Sequence, residues 1–301
     1  MPRVSVVIPF FNEERYLEEA VQSIRDQQLT DWELILVDDG STNRSTQMAR
    51  DLATQDERIR YVDHPGHQNR GRSASRNLGV ANGTAPYVAF LDSDDVSLPN
   101  KLAEQVHVLE TMPDVALVMG AIEYWHSWDP ASTRADYVML TGGVPDKQRL
   151  DPPEAVLALY PLGTGAPAGV TGLFRRSAFD AVGGFEERFR GLYDDQALLV
   201  KTYLRYPVFI TSQIWYRYRQ HDDSCCGQTS RTDYWRLRKV FLEWLAEHVG
   251  SSGDPRVVAA VRRARRELPY KKLTVPAYEV YDRLPEKFRR QLRTLTGRAA
   301  G

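Results

Sequence analysis

Cysteine and long apolar runs are what this sequence has least of. Its 2 cysteines, Cys225 and Cys226, are neighbours in the chain, where a disulfide between them would be strained. This usage excludes a disulfide-stapled domain and a CxxC-type metal site, and it is typical of a reducing compartment. No stretch approaches the roughly 20 apolar residues that a membrane-spanning helix needs. The apolar run at residues 4–8 is too short for a signal peptide, so we expect a cytoplasmic protein.

Two glycine-rich phosphate-binding signatures are also missing. No G-x-G-x-x-G follows the first apolar run, which argues against a Rossmann dinucleotide site. No G-x-x-x-x-G-K-[ST] occurs either, so a P-loop is unsupported. Neither of these two common nucleotide sites is therefore predicted.

The charges nearly cancel overall but are unevenly distributed. With 39 Lys and Arg against 40 Asp and Glu, the formal net charge is −1. Residues 256–301 hold 13 Arg or Lys and 4 Asp or Glu, about +9, which leaves about −10 for the first 255 residues. A basic, helix-compatible segment can contact acidic lipid headgroups, so we predict peripheral contact with the inner face of the plasma membrane. The alternative is a solvated helical face that balances an acidic body; no nucleic acid partner is expected.

Strands and helices alternate over the first 120 residues or so. Apolar runs predict five strands, with segments of helical spacing between them, at residues 4–8, 32–37, 58–62, 87–91 and 115–119. Such alternation favours an α/β fold with a Rossmann-like, mostly parallel sheet flanked by helices. Asn12 is expected to cap the first helix.

The rest of the chain has a weaker pattern. Residues 125–167 are rich in Pro, Gly and aromatic residues and are expected to be loops over the active edge. From Asp233 onward the pattern is helical, with breaks expected at 251–255, Pro269, Pro276 and Pro285. We predict one domain over residues 1–230, divided into two halves at about residue 120. A basic helical extension then occupies residues 231–301.

Three polar clusters follow predicted strands, at residues 9–12, 38–41 and 92–95. In parallel sheets, ligands bind outside the carboxyl ends of the strands, so we expect these clusters to converge on one edge.

The last cluster, Asp92-Ser93-Asp94-Asp95, has the chemistry of a cation site. In an extended segment, residues two apart point the same way, so Asp92 and Asp94 can face one ligand. Hard oxygen ligands suit Mg²⁺ or Mn²⁺ bound jointly with substrate phosphates. Such a cation neutralises the charge that develops on a leaving diphosphate. The alternative is a polar turn with capping carboxylates, and Asp95 is interpreted as such a cap.

These segments together resemble family 2 glycosyltransferases. The motifs that carry the resemblance are VSVVIPFFNE at 4–13, VDDGS at 37–41, SRN at 75–77 within 71–79, and FLDSDD at 90–95. The resemblance continues more loosely through GLFRR at 172–176, VGGF at 182–185 and Asp194-Asp195. It implies a GT-A fold and transfer of a sugar, with inversion, from a UDP-linked or other nucleoside diphosphate donor. Residues 1–230 would then be the catalytic domain, with a donor-binding half to about residue 120 and an acceptor half after it. The implied acceptor is a saccharide, lipid-linked or other hydroxyl in polysaccharide or glycoconjugate biosynthesis.

Roles on the donor side follow from the resemblance, position by position. The implied nucleotide-sugar contacts are Pro9, Phe10, Glu13, Asp39, Arg72, Asp92 and Ser93. Asp39 resembles the residue that binds the base, commonly uracil, and Arg72 or its neighbour Arg70 would lie near the base or phosphates. The implied ligands of Mn²⁺ or Mg²⁺ are Asp94 first, Asp92 second, and His221 from a late motif.

Roles on the acceptor side are assigned in the same way. Asp195 resembles the catalytic base, with Asp194 as its neighbour or a reserve candidate. Inverting transfer needs a carboxylate to remove the acceptor proton, and an Asp near its ordinary pKa is ionised at neutral pH. The alternative for this pair is a helix N-terminus, which favours acidic residues and is compatible with the catalytic role. Trp125 and Arg190 are further acceptor-side candidates, although Trp125 could equally pack in the core.

Other functions are possible on a related sheet. A nucleotidyltransferase of sugar phosphates would need a glycine-rich basic loop after the first strand, and Pro9-Phe10-Phe11-Asn12 is not one. A homologue that binds nucleotide sugars without catalysis is the alternative of a different class. A retaining outcome is also conceivable, because GT-A folds host both stereochemistries.

Overall fold

The computed structural model describes residues 1–139, 145–163, 171–221, 224, 230–250 and 253–282. The chain divides into two compact units, Met1–Ser230 and Arg231–Gly301. Cys225 and Cys226 lie outside the described residues, as does Pro285.

A single mixed sheet forms the centre of the first unit. Its strands are β1 (Val4–Phe10), β2 (Trp32–Asp38), β3 (Ile59–Asp63), β4 (Tyr87–Phe90), β5 (Val96–Ser97), β6 (Leu117–Trp125), β7 (Tyr137–Met139), β8 (Gln148–Leu150), β9 (Leu173–Arg175) and β10 (Val208–Arg219). Their order is β3-β2-β1-β4-β9-β6-β10-β5, with β7 beside β6 and β8 beside β10.

The parallel part of this sheet is smaller than the sequence predicts. Strands β3, β2, β1 and β4 are parallel to one another, and β6 is parallel to β10. Strand β9 runs antiparallel to both β4 and β6. The sheet is therefore mixed, since the alternation of strands and helices that implies parallel crossovers ends before β9.

Seven α-helices are described in the first unit: α1 (Leu17–Arg25), α2 (Ser45–Gln55), α3 (Arg72–Asn82), α4 (Lys101–Thr111), α5 (Glu154–Ala158), α6 (Arg176–Ala181) and α7 (Asp194–Tyr203). Helix α1 shows why the pattern works: Leu17, Val21 and Ile24 are buried on one face, while Glu18 and Glu19 on the other are exposed. Strands β1 and β2 are buried along their whole length, as expected for strands covered on both faces.

Two local expectations are wrong. Asn12 does not cap α1, which begins five residues later at Leu17. Its φ is 55°, and its side-chain oxygen instead accepts the N–H of Thr42 at 2.8 Å, which ties the end of β1 to the loop after β2. Residues 125–167 are not all loop, because they contain β7, β8 and α5. The two short strands gain their hydrogen bonds from β6 and β10, partners that local sequence does not reveal.

Two helices lie in the described part of the second unit, α8 (Arg231–Val249) and α9 (Pro255–Asp282). The expected break at 251–255 separates them, whereas α9 continues through Pro269 and Pro276, where breaks were also expected. Across the described residues, no helix combines the length and apolarity that crossing a membrane requires.

Helix α3 is held close to the sheet at Gly79. A Cβ atom added there would overlap Cγ1 of Val7 in β1 and would lie 3.0 Å from Cγ2 of Val37 in β2. The glycine thus permits the close approach that brings the start of α3 to the carboxyl ends of these strands.

We expect Gly79→Ala to destabilise the protein by about 1–3 kcal/mol, because the added methyl forces the packed helix away from the sheet. Chemical denaturation measures this change in the free energy of unfolding. Ala81→Ser, which adds one atom on the exposed face of the same helix, should stay within about 0.5 kcal/mol of wild type. Equal stability of Gly79→Ala and wild type would contradict the close packing.

Candidate active site

The candidate site lies at the carboxyl ends of β1, β2 and β4. The parallel register aligns Pro9 with Val37 and Phe10 with Asp38. Two further backbone hydrogen bonds continue this alignment past the strand ends, from Asp39 N–H to Phe10 at 2.9 Å and from Leu91 N–H to Val7 at 3.1 Å. The three polar clusters therefore meet at one edge, as the sequence predicts.

Asp39 holds the loop that precedes α3. Its carboxylate accepts the backbone N–H of Arg70 at 2.8 Å and that of Gly71 at 3.0 Å. Arg190 also holds this loop, because its guanidinium donates to the carbonyls of Asn69 and Arg70 at 3.1 and 3.2 Å. Gly71 has a φ of +90°, and a Cβ there would lie 3.0 Å from Nε of Arg190. Asp39 and Arg190 thus shape this loop.

Two arginines on α3 link carboxylates from distant parts of the chain. Arg72 donates to Asp194 through Nε at 2.8 Å and Nη2 at 3.1 Å, and its Nη1 lies 3.9 Å from Asp92. Arg76, one helical turn further on, donates from Nη1 to Asp194 at 2.9 Å and from Nη2 to Asp92 at 2.5 Å. Asp92 follows β4 and Asp194 begins α7, so α3 connects the predicted donor and acceptor halves.

Burial sharpens the difference between the two arginines. The side chains of Arg76 and Asp194 are each 2% exposed, whereas those of Arg72 and Asp92 are 32% and 30% exposed. Burial would raise the pKa of Asp92, but the charges of Arg76 and Arg72 outweigh it and hold this pKa below its usual value. Asp92 is therefore a carboxylate that the arginines keep ionised at the opening of the site.

Asp195 differs from Asp194 in its surroundings. Asp194 is saturated by the two arginines, whereas the hydrogen bond to Asp195 in the described part of the chain comes from the N–H of Gln196, at 2.7 Å. Burial, with the negative charge of Asp194, raises the pKa of Asp195 to about 6, while Arg72 and Arg76 oppose the rise. A half-buried carboxylate with such a pKa is suited to accept a proton near neutral pH.

The backbone that presents this pair is unusual at Tyr193. This buried residue precedes α7 with a φ of 74°, in the left-handed region that a bulky side chain rarely adopts. Its hydroxyl accepts a hydrogen bond from that of Tyr160 at 3.0 Å. Packing and this bond hold Tyr193 in place, and the chain turns so that α7 begins directly at Asp194.

Asp94 and His221 form a second contact across the site. Nε2 of His221 lies 3.1 Å from Oδ2 of Asp94, and the Asp94 side chain is 21% exposed. Glu13 lies close by: burial, with the negative charge of Asp94, raises the pKa of Glu13 to about 7. Among the described residues, no three His, Cys, Asp or Glu side chains are grouped as a preformed metal cluster. Asp94 and His221 nevertheless suit a cation that takes its remaining ligands from substrate phosphates and water.

Asp95 is not the helix cap that the sequence predicts. It is 1% exposed and accepts hydrogen bonds from the hydroxyl of Tyr216 and, at 2.7 Å, from the N–H of Arg219. Burial raises the pKa of Asp95 well above its usual value, and the charges of Asp94 and Asp92 add to the rise. Lys101 is buried nearby, and burial lowers its pKa to about 8. The hydrogen bonds from Tyr216 and Arg219 to Asp95 hold β10 next to the acidic cluster.

Aromatic rings enclose Arg219 beside the site. Its guanidinium carbon lies 4.5, 4.6 and 5.2 Å from the ring centres of Tyr16, Trp125 and Trp128. Its Nε donates to the backbone carbonyl of Asp94 at 2.7 Å. Trp125 is half-buried and packs on this arginine, outside the buried core, and its contact with the acceptor stays a prediction.

Phe10 and Ser93, two other predicted donor contacts, differ in their exposure. Phe10 is 2% exposed and belongs to the hydrophobic core, and its contact with the donor stays a prediction. Phe11, its neighbour, is 49% exposed. Ser93 is half-buried between Asp92 and Asp94.

Sequence reasoning missed Arg76 as a site residue, although it lies within a quoted motif. The signal available was its spacing, because residues four apart on a helix share a face and Arg72 was already a candidate. Lys101 and Tyr216 were also missed, and no local pattern connects them with Asp95.

Comparison with known proteins gives relatives that match part of this chain. An uncharacterized glycosyltransferase of Haemophilus influenzae is 36% identical over 109 residues, which are 36% of this chain and 43% of that protein. The uncharacterized glycosyltransferase EpsJ of Bacillus subtilis is 42% identical over 96 residues, 32% of this chain and 27% of that protein. The matched regions therefore span less than half of these relatives.

Solved structures resemble the chain over more of its length. S. aureus TarS 1–349 in complex with UDP-GlcNAc has a TM-score of 0.68 at 15% identity, covering 95% of this chain and 77% of that one. The mannosyltransferase PcManGT from Pyrobaculum calidifontis, in complex with GDP-Man and Mn²⁺, has a TM-score of 0.60 at 18% identity, covering 98% and 80%. At such identities the likeness concerns the fold, and it confirms the predicted GT-A fold.

The family model for glycosyl transferase family 2 matches residues 5–183, more than half of the chain, and this range contains the acidic cluster, Asp39 and both arginines of α3. The chain belongs to glycosyl transferase family 2.

Proposed function

We propose that this glycosyltransferase moves a sugar with inversion from a nucleoside diphosphate donor, UDP-linked, to an acceptor hydroxyl. The observation that carries this proposal is the difference in hydrogen-bond partners between the carboxylates of Asp194 and Asp195. Arg72 and Arg76 donate hydrogen bonds to Asp194. Asp195 accepts none from them in the described structure, and burial raises its pKa to about 6. One carboxylate of the pair is thus structural, and the other has the properties of a base.

Asp195 removes the proton of the acceptor hydroxyl as its oxygen attacks the anomeric carbon of the donor sugar. The bond from that carbon to the diphosphate breaks in the same step, and the nucleoside diphosphate leaves on the opposite face. A single displacement of this kind inverts the anomeric centre. Arg72, one-third exposed at the site opening, is placed to neutralise negative charge on the donor.

Donor binding is assigned to the edge formed by Pro9, Asp39 and Asp92. Oδ1 of Asp39 accepts the backbone N–H groups of Arg70 and Gly71, and Oδ2 shares only that of Gly71. Oδ2 therefore has capacity for a base N–H. The solved neighbours hold UDP-GlcNAc and GDP-Man, which supports a nucleoside diphosphate sugar as the donor class. The acceptor is a hydroxyl of a saccharide or lipid-linked molecule.

Asp94 and His221 are proposed to hold Mn²⁺ or Mg²⁺. When bound, the cation supplies positive charge that stabilises the diphosphate as it departs. Asp92 is the weaker candidate as a ligand, because Arg76 and Arg72 already engage its carboxylate. The presence of Mn²⁺ in the PcManGT complex supports this choice of metal.

Contact with acidic lipids is proposed for the second unit. A groove of about 820 Å³ between α8 and α9 is lined by Lys239, Leu242, Glu243, Ala259, Arg262, Arg265, Arg266 and Leu268. Among the described residues, Arg262, Arg265 and Arg266 form no ion pair, whereas Arg263 lies 4.0 Å from Glu267. Uncompensated arginines beside apolar side chains suit the headgroups of a membrane surface. This contact would place the enzyme at the inner face of the plasma membrane.

A thermal-shift screen of nucleotide sugars with Mn²⁺ tests donor and metal together. We expect one UDP-sugar to raise the Tm in the presence of Mn²⁺, because ligands stabilise the folded state that binds them. Asp94→Ala should remove the dependence on Mn²⁺, whereas Asp51→Ala, an exposed carboxylate on α2, should keep it. Metal-dependent binding that survives in Asp94→Ala would refute its ligand role. If wild type binds and hydrolyses no donor, a homologue without catalysis gains support.

Asp195→Asn should lower turnover by about 10²–10⁴-fold while donor affinity is retained, since the acceptor proton loses its base. Hydrolysis of the bound nucleotide sugar, with water as the acceptor, measures this loss. In wild type, kcat/KM should fall about tenfold per pH unit well below about pH 6, where Asp195 is mostly protonated. Asp180→Asn, an exposed carboxylate on α6, serves as the control. Near-normal turnover of Asp195→Asn would move the base elsewhere.

Membrane contact is tested with the full chain and vesicles of phosphatidylcholine, with or without phosphatidylglycerol. We expect binding only to the acidic vesicles, and a loss of at least about 30-fold in the double variant Arg262→Glu/Arg266→Glu, at about 1 kcal/mol for each cation removed. The matched control is Arg256→Glu/Arg263→Glu, which changes the net charge equally but replaces arginines paired with Asp254 and Glu267. Equal loss in both variants would show a diffuse charge effect and contradict the groove.

A further inference from the structure

Arg76 is a deeply buried charge in the candidate site. Its side chain is 2% exposed, and its guanidinium carbon lies 5.1 Å from the ring centre of Phe185. An arginine in such a place is costly unless carboxylates compensate it. Asp92 and Asp194 provide that compensation, each bonded to a different terminal nitrogen.

The two bonds of Arg76 join segments that lie 102 positions apart, Asp92 after β4 and Asp194 at the start of α7. A planar guanidinium fixes the direction of both bonds at once, which an ammonium group does not. Because Asp195 follows Asp194 in the same helical turn, any shift of Asp194 also moves Asp195. The placement of the proposed base relative to the donor side thus depends on the two hydrogen bonds of Arg76.

We propose that Arg76 is a positioning residue for the transfer reaction, which fixes the Asp195 carboxylate relative to the donor by holding Asp92 and Asp194 in one fork. This inference rests on the proposed function, since it assigns Asp195 as the base. Arg76 acts through Asp92 and Asp194, the carboxylates to which its terminal nitrogens donate.

Arg72 cannot replace Arg76 in this role. Its Nη1 lies 3.9 Å from Asp92, beyond hydrogen-bond distance, and its side chain is 32% exposed. Arg72 is therefore suited to bind a donor at the opening of the site, while Arg76 keeps Asp92 and Asp194 at a fixed distance from each other.

The electrostatics agree with this division. The charged and titratable groups that influence Asp195 are Asp194 and Tyr203 on α7 and Arg72 and Arg76 on α3. Arg76 lowers the pKa of Asp195 against the effects of burial and Asp194. A neutral side chain at position 76 would therefore move the acid limb of the rate profile to higher pH, whereas lysine would preserve it.

The test uses Arg76→Lys in the full chain, with hydrolysis of UDP-GlcNAc, or of the donor that wild type hydrolyses fastest, as the readout. We expect kcat to fall about 100-fold, the loss typical of a small misplacement of a catalytic group. The Kd of the donor should change less than about threefold, and the acid limb should stay in place. Arg76→Gln, if it folds, should also raise the pH of the acid limb.

A double-mutant cycle separates positioning from general support of the fold. In an Asp195→Asn background, Arg76→Lys should lower the remaining rate by less than about threefold, because residues that act as a unit are not additive. The control is Arg176→Lys, which removes a guanidinium that donates to the carbonyls of Val80 and Ala85 and to Ser5, away from the site. This control should keep kcat within about threefold of wild type.

Two results would overturn the inference while leaving the proposed function intact. One is a kcat of Arg76→Lys within about threefold of wild type. The other is an equal, additive loss in the presence and absence of the Asp195 carboxylate. If wild type hydrolyses no nucleotide sugar at all, the proposed function fails and the inference fails with it.

Discussion

The double link from α3 to Asp92 and Asp194 is the contact on which the rest of the site depends. Four charged side chains from three segments share it, and each would be costly to bury alone. Arg72 and Arg76 satisfy one carboxylate that follows a strand and another that begins a helix. The network therefore keeps charge at the sheet edge without leaving it uncompensated, and it leaves Asp195 with a distinct environment.

The sheet makes this link possible through a close approach. Gly79 lets α3 lie against β1 and β2, and the first turn of that helix then reaches the carboxyl ends of the strands. Asp39 fixes the loop in front of the helix by accepting its backbone N–H groups. On the other side, Asp95 anchors β10 through Tyr216 and Arg219. Packing and polar contacts together set where each carboxylate of the acidic cluster points.

Much of this arrangement could be predicted from the sequence, and the exceptions have physical causes. The strands β1, β2 and β4 and the meeting of their polar ends follow from apolar runs and sheet rules. The burial of Phe10 was not evident from the sequence, because β1 is buried on both faces and alternation does not show which aromatic side chain faces the core. The burial of Asp95 depends on β10, more than a hundred residues later. The choice of Asp194 as the arginine partner likewise depends on tertiary contacts alone.

The conformation of Tyr193 has a consequence for how this protein can be altered. A bulky residue with positive φ costs of order 1–3 kcal/mol that the surrounding structure must offset. Selection for thermal tolerance would therefore favour glycine or asparagine there, but each would forfeit the aromatic packing and the bond from Tyr160 that fix the start of α7. Position 193 is thus one where heat resistance and catalytic competence are expected to trade against each other.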